Sequence, residues 1–296
     1  MRLSSLPRSQ LVNQATASPT LSLTMLPYLG YFAAIFIGLT MGLMGGGGSI
    51  LTVPVLVYLI GLNPLLATAY SLLIVGATAL VGAAGYFRKG LVAHRTALLF
   101  ALPSLVAVFA TRNLLLPAIP AQGFMLGSFL VSKGLLVMTV FAVLMVAAAT
   151  AMIRSSQRDA LPDEPEAADV PTAPNQLLMT GIGLAVGVLT GFVGAGGGFL
   201  IIPALVLVGR LPMKLAVGTS LLIIAINSLV GFTGDLSAGL RPDWGFLLVF
   251  LGFALIGIGL GTRLSRFIPG ARLKPAFGWF TLVMGSVVLL KEFWPH

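Results

Sequence analysis

Long apolar runs separated by short polar or Pro/Gly punctuation dominate the chain, and each run is long enough to cross a bilayer as a helix. They start near Leu26, Pro64, Thr96, Gly134, Leu177, Met213, Gly245 and Pro275. Two shorter runs, Ile50 to Gly61 and Phe199 to Gly209, each follow a cluster of glycines. At about 12 residues, or roughly 18 Å of helix, they predict half-helices or steeply set short spans. The one hydrophilic stretch inside the chain, Arg154 to Asn175, carries Pro162, Pro165, Pro171 and Pro174 with five acids. It reads as a linker that cannot bury enough apolar surface to fold. Residues 1–25, Ser/Thr/Pro-rich with Arg2 and Arg8, lack a compact apolar core followed by a cleavage site and read as a disordered tail. The expected organisation is a first transmembrane unit over 26–153, the linker 154–175 and a second unit over 176–296.

The two units repeat each other. A shift of 149 positions pairs Gly38, Gly42, Gly45, Gly47 and Gly48 with Gly187, Gly191, Gly194, Gly196 and Gly197. The same shift brings Leu51 and Pro54 onto Leu200 and Pro203, Ala67 and Ser71 onto Ala216 and Ser220, and Gly82, Gly85 and Gly90 onto Gly231, Gly234 and Gly239. Roughly 20 of about 50 aligned positions are identical, prolines and glycines among them, which marks an internal duplication. The expected fold is therefore all-α and polytopic, with two homologous halves of about four to five helical segments, each broken by glycines in its first helix.

Composition fixes the solvent. Hydrophobic residues make up 57% of the 296 positions and charged residues 8%, with a mean hydropathy of +1.04; soluble domains carry roughly 25% charged residues. The lipid bilayer is the expected surrounding, and no sizeable soluble domain fits between the spans. The net charge of +9 does not point to nucleic acid, because Lys and Arg gather at the ends of apolar runs, as in loops beside anionic lipid. The absence of cysteine excludes disulfides, thiolate metal sites and cysteine nucleophiles.

The charges also bear on topology. An even number of crossings per half leaves nine Lys and Arg on one side and eight on the other, which is no bias. If each glycine break turns the chain back, eleven fall on one side (Arg88, Lys89, Arg95, Arg154, Arg158, Arg210, Lys214, Arg263, Arg266, Arg272 and Lys274) against six. That count favours inverted halves with the richer side cytoplasmic.

Candidate chemistry sits at the breaks. Consecutive glycines interrupt a membrane helix and leave backbone amides unpaired, which is tolerated at membrane depth only inside protein or beside a watery cavity. The short helix beginning near Ser49 or Phe199 would present amides and a positive dipole end to an anion. Gly46, Gly47, Gly48 and Ser49, with Ala195, Gly196, Gly197 and Gly198, are thus the expected backbone seat of a small anionic substrate. For Gly38, Gly42, Gly187 and Gly191, spaced every fourth residue, close helix packing is the favoured reading. The following helices carry Thr68, Ser71 and Thr78 in one half and Thr219, Ser220 and Asn227 in the other. Thr68 with Ser71, and Ser220 with Asn227, share a helical face. Thr68, Ser71, Ser220 and Asn227 either donate to an oxyanion or hold the helices together.

No Asp, Glu, Lys or Arg is read in the middle of an apolar segment. Asp235 is the nearest exception; with Arg241 it is placed in the loop before Trp244, and a proton-coupling role stays open for it. His94 reads as interfacial, and Tyr28, Tyr31, Tyr86, Trp244 and Trp294 as interface anchors. No metal constellation, cofactor motif or set of nucleophile, base and orienter is present, so an enzyme is the weakest candidate. A packing-only membrane scaffold is the rival of another class. No oligomeric state follows from the sequence.

The paired motif G-x-x-x-G-x-x-G-x-G-G, followed by an apolar stretch and Pro54 or Pro203, resembles the TauE/SafE sulfite-exporter family of membrane permeases. The likeness runs from about Leu26 to Leu290 and includes the linker position and the basic segment GTRLSRFIPGARLK from Gly261. The resemblance implies passage of small sulfur-containing anions, such as sulfite or organosulfonates, across the bacterial cytoplasmic membrane. Ser49 stands opposite Gly198, Gly46 opposite Ala195 and Tyr70 opposite Thr219, so the two half-sites differ chemically. Uptake, or a non-sulfur anion, is the alternative within transport.

Overall fold

The computed structural model describes residues 20–119, 124–126, 129–131, 133–158, 176–194 and 197–293. Helix α1 (Thr20–Met44) ends at the first glycine cluster, and α2 (residues 45–59) follows as a 3-10 turn, Gly45–Leu51, one α-turn, Thr52–Pro54, and a π-turn, Val55–Leu59. Next come α3 (Pro64–Phe87), α4 (His94–Ala110), extended by the π-turn Thr111–Leu115, and α5 (Lys133–Arg158). In the second half α6 (Gln176–Val193) ends at the second cluster. Then follow α7 (Gly198–Pro203, with the π-turn Ala204–Val208), α8 (Met213–Ser237), α9 (Trp244–Leu264) and α10 (Gly270–Phe293).

The tail expected over 1–25 lies outside the described residues up to position 19, and α1 begins at Thr20. Of the expected linker, 154–158 form the end of α5 and 159–175 lie outside the described residues. One feature was not anticipated: the apolar stretch before α5 holds a two-stranded antiparallel hairpin, β1 (Phe124–Leu126) with β2 (Phe129–Val131).

Local chemistry explains the boundaries. Asn63 Oδ1 accepts from the Leu65 amide at 3.0 Å and Pro64 opens α3; Asp243 Oδ1 caps α9 through the Phe246 amide at 3.1 Å. These are the N-terminal side chain and first-turn proline that helices favour. A proline supplies no amide to the helix ladder, and immediately after Pro54 and Pro203 the backbone widens into a π-turn. The widened hydrogen bonds recur 149 positions apart: the Ile60 amide to the Val55 carbonyl and Gly209 to Ala204, both near 3 Å. Left-handed backbone also recurs at that spacing, at Gly45 and Gly194, Gly61 and Arg210, Gly90 and Gly239.

The halves interlock instead of standing side by side. Helix α1 packs on α9, and α4 on α6, while α3 meets its counterpart α8 and α5 meets α10. Counterparts run antiparallel: Gly76 of α3 lies against Leu229 of α8 and Gly82 against Leu221, while Gly278 and Gly285 of α10 face Ile153 and Met145 of α5. The α1–α9 and α4–α6 pairs run parallel through glycine contacts. A Cβ on Gly38 would collide with the Ala254 carbonyl, and one on Gly42 would lie 2.6 Å from the Thr262 amide nitrogen. Across the other pair, Gly187 and Gly191 press on Ser104 and Thr111. Close packing is what these four glycines do. Large apolar side chains such as Phe32, Leu102, Leu177 and Leu248 are exposed around the outside, an arrangement that suits lipid and not water.

After α1 reaches Met44, the chain folds back along it: a Cβ on Gly48 would strike the Met41 backbone, and Ile60 returns to the level of Gly30. The glycines thus turn a membrane helix into a helical hairpin, and α3 then crosses in the direction of α1.

Candidate substrate site

The two breaks meet inside the bundle. A Cβ on Gly46 would lie 2.5 Å from Gly198 Cα, and one on Gly198 would strike the Gly46 carbonyl. Gly45 rests on Val217 and Ser220 of α8, and Gly194 on Thr68 of α3. Ser49, Thr68, Ser71, Ser220 and Asn227 are all buried. The structure therefore brings Gly46, Gly198, Ser49, Thr68, Ser71 and Ser220 together. Gly48 turns away onto α1, and Gly197 packs on Thr190 of α6. Ala195 and Gly196 lie outside the described residues. Gly47 lies within the 3-10 turn of α2.

Each break is held by the other half. Ser71 of α3 donates to the Gly194 carbonyl, and the Gly46 amide donates to Ser220 Oγ of α8 at 3.4 Å. Ser49 Oγ donates to the Gly46 carbonyl at 2.6 Å, Thr68 Oγ1 to Leu65, and Ser220 Oγ to Val217. The hydroxyl protons are thus engaged with backbone in this structure. Asn227 Nδ2 donates to Ser104 Oγ at 2.7 Å, joining α8 to α4, while its Oδ1 has no partner. The chemical difference at Tyr70 and Thr219 turns out to serve one purpose. Tyr70 Oη accepts from the Asp243 amide at 2.8 Å and Thr219 Oγ1 from the Ala93 amide at 2.9 Å, each pinning the loop ahead of α9 or α4.

Two placements are corrected, those of Asp235 and Tyr86. Asp235 lies not in a loop but in the last turn of α8, and a buried charge stands near the end of another long apolar helix. Arg112, 3% exposed, sits in the π-turn that extends α4, and its Nη1 donates to both Asp235 oxygens at 3.0 and 3.2 Å. Its guanidinium reaches the second break, where Nη2 occupies the space a Gly194 side chain would need. At the positions 149 residues away stand Gly261 and Tyr86, so the charged pair occurs at one break alone. Tyr86 is likewise no interface anchor. It is buried, and its hydroxyl donates to the Gly42 carbonyl at 3.0 Å. The sequence clue to Arg112 was a lone cation at the end of an apolar run, next to a proline-rich stretch that looks like a loop.

On the opposite side of the first break lies a cavity of about 60 Å³ lined by Tyr86, Lys89, Lys214, Val217, Ser265 and Arg266. Its wall residue Val217 also packs on Gly45, so the cavity wall backs onto the break. Three cations surround it. Partial burial, with Arg266 and Lys214 nearby, holds Lys89 below the usual lysine range, the response expected of a crowded positive site. A broader recess beside it, of about 500 Å³, adds Arg88 and Arg263.

Apolar helices with hydrophobic side chains also exposed on the outside, broken at facing positions where buried serines and threonines gather, define a multi-pass membrane transporter. The chain belongs to the sulfite exporter TauE/SafE family, whose sequence model matches residues 30–288. It is similar to a "Probable membrane transporter protein" of Xylella fastidiosa (strain 9a5c), with 30% identity over 260 residues, 86% of this chain and 92% of the relative. The "Probable membrane transporter protein YunE" of Bacillus subtilis (strain 168) shares 28% over 255 residues, 83% of this chain and 89% of its own. No solved structure matches the chain.

Proposed function

We propose that this transporter exports a small anion, sulfite or an organosulfonate, across the cytoplasmic membrane, through a site formed where the glycine breaks meet. The observation that carries the reading is the cation-lined cavity between Lys89, Lys214 and Arg266, whose inner wall rests on Gly45. Cations around a narrow entrance concentrate anions, and the glycine backbone behind it offers no carboxylate to repel them. The family resemblance supplies the sulfur chemistry.

We infer further that the halves form an inverted pair. Antiparallel counterparts and crossed packing are what a two-fold axis in the membrane plane produces, and such repeats place the substrate at their interface. The face bearing Lys89, Lys214 and Arg266 is then cytoplasmic by the charge rule. Gly46 and Gly198 touch, so passage requires the breaks to separate. Backbone amides at residues 46–49 and 195–198 would then be exposed to the anion, with Thr68, Ser71, Ser220 and Asn227 released from their present bonds to assist.

The membrane potential favours export. A dianion leaving a negative interior gains about 4.6 kcal/mol per 100 mV. The decisive measurement is flux of sulfite, sulfoacetate, sulfate and chloride in reconstituted vesicles at imposed potential and fixed pH. Sulfite or sulfonate efflux that grows with interior-negative potential supports the reading. Absence of flux for every anion in the panel sinks it.

A further inference from the structure

We propose that Arg112 is the fixed seat of the transported anion, a single site at the second break, and that Asp235 is the built-in competitor holding the guanidinium when no anion is bound. The inference rests on the anion-transport reading above and adds the residue that binds and the class of ligand it selects.

The geometry of the guanidinium carries the case. Arg112 has a side chain only 2% exposed, and its bond to Asp235 uses Nη1 alone. Nε and Nη2 are buried with no hydrogen-bond partner. Those two nitrogens form the side-on edge of the guanidinium, where two parallel N–H groups match two oxygens of a planar or tetrahedral oxyanion. Buried N–H groups left unmade cost free energy, more so on a charged group, and interior cations otherwise end fully bonded. A cation placed at a broken membrane helix with its bidentate edge unbonded is therefore held ready for an acceptor that comes and goes.

The surroundings suit that role. Nη2 lies against Gly194, where any side chain would collide with it, so only glycine lets the guanidinium approach the break this closely. The Gly194 carbonyl, which could have capped the cation, is turned to Ser71 instead. Thr190, in the turn leading into the break, carries a buried hydroxyl without a partner. The other half has nothing comparable, because Gly261 and Tyr86 stand where Arg112 and Asp235 would be. Occupancy is therefore one anion per chain. Selectivity follows from the fork: sulfite, sulfonates and sulfate present two oxygens to it, and chloride does not.

The test is ligand-dependent thermal stabilisation of the purified full-length protein in detergent, titrated with sulfite, sulfate and chloride at constant ionic strength. The proteins compared are wild type, Arg112→Lys and Asp235→Asn. The wild type is expected to show saturable stabilisation by sulfite or sulfate and none by chloride. Arg112→Lys keeps the charge but loses the fork, and its apparent affinity falls about tenfold or more. Asp235→Asn removes the competitor, so it starts less stable and binds the oxyanion about tenfold tighter, with its lost stability restored by the ligand. A pair serving structure alone would lower stability in both variants and leave the oxyanion affinity unmoved. Equal affinity in wild type and Arg112→Lys overturns the seat while leaving anion transport standing. No stabilisation of the wild type by sulfite or sulfate also overturns the seat, and vesicle flux then judges the transport reading by itself.

Discussion

The parallel contact between α1 and α9 makes a quantitative demand on Gly42. A Cβ added there would lie 2.6 Å from the Thr262 nitrogen and 2.7 Å from two Gly261 backbone atoms. Ordinary carbon contacts fall near 3.5–4.0 Å, so the helices must part by about 1 Å, and backbone on both sides leaves no side chain to yield. Overpacking of this kind costs about 1–3 kcal/mol, and a gap of that size forfeits a quarter to a half of each lost contact. Against it stands a helix-propensity gain of up to about 1 kcal/mol for alanine. Gly259, on α9 itself, is the internal control because a Cβ there meets nothing within 4 Å. The propensity gain is shared by Gly259→Ala, so Gly42→Ala should be about 1–3 kcal/mol less stable than that control. At roughly 2–4 °C per kcal/mol, that separates their melting temperatures by about 2–12 °C. Size-exclusion chromatography after graded heating in detergent reads this directly. If Gly42→Ala melts with or above Gly259→Ala, the helices do not approach as closely as described.

Three further outcomes follow from other positions. Arg210 holds left-handed backbone (φ 49°) where its counterpart is Gly61; Arg210→Gly should raise stability by about 0.5–1 kcal/mol, and a lowered melting temperature would show the strain argument wrong. Gly198→Ala sets a Cβ against the Gly46 carbonyl and should cut vesicle flux more than tenfold with insertion intact, whereas Gly85→Ala, where space is open, should keep it; normal flux through Gly198→Ala would remove the breaks from the transport path. Lys89 is lowered by partial burial first, then by Arg266 and Lys214. In the window below 10.5 the unfolded chain binds more protons than the folded one, so stability rises with pH there. Lys214→Gln should flatten that rise in a melting series, and an unchanged slope would count against the crowding.

Much of the fold could be read from the chain because its signals are local. Apolar runs place the helix starts within a few residues, and the glycine clusters and following prolines mark both breaks. The packing role of Gly38, Gly42, Gly187 and Gly191 was legible from spacing alone. The hairpin at residues 124–131 was not, since two three-residue strands are hidden in an apolar stretch next to a long helix. Gly127 and Ser128, a pair common in tight turns, were its only trace. Arg112, and the pair it forms with Asp235, escaped for a different reason. Each stands near the end of its apolar run, beside Pro117 or Arg241, where charge is commonplace. Only the parallel packing of α4 on α8, across the two halves, joins positions 123 residues apart. Tyr86 was misplaced by the same limit, since a tyrosine at a span end looks alike whether it faces headgroups or a buried carbonyl.

The crossed serine bonds carry a consequence for how the chain is made. Ser220 holds the break of the first half and Ser71 that of the second, and the glycines Gly38 and Gly42 of α1 pack on α9. During synthesis the first half enters the bilayer before any of those partners exists. Its hairpin must wait there with polar backbone unfastened until α8 and α9 have left the ribosome, so the late helices complete the early ones.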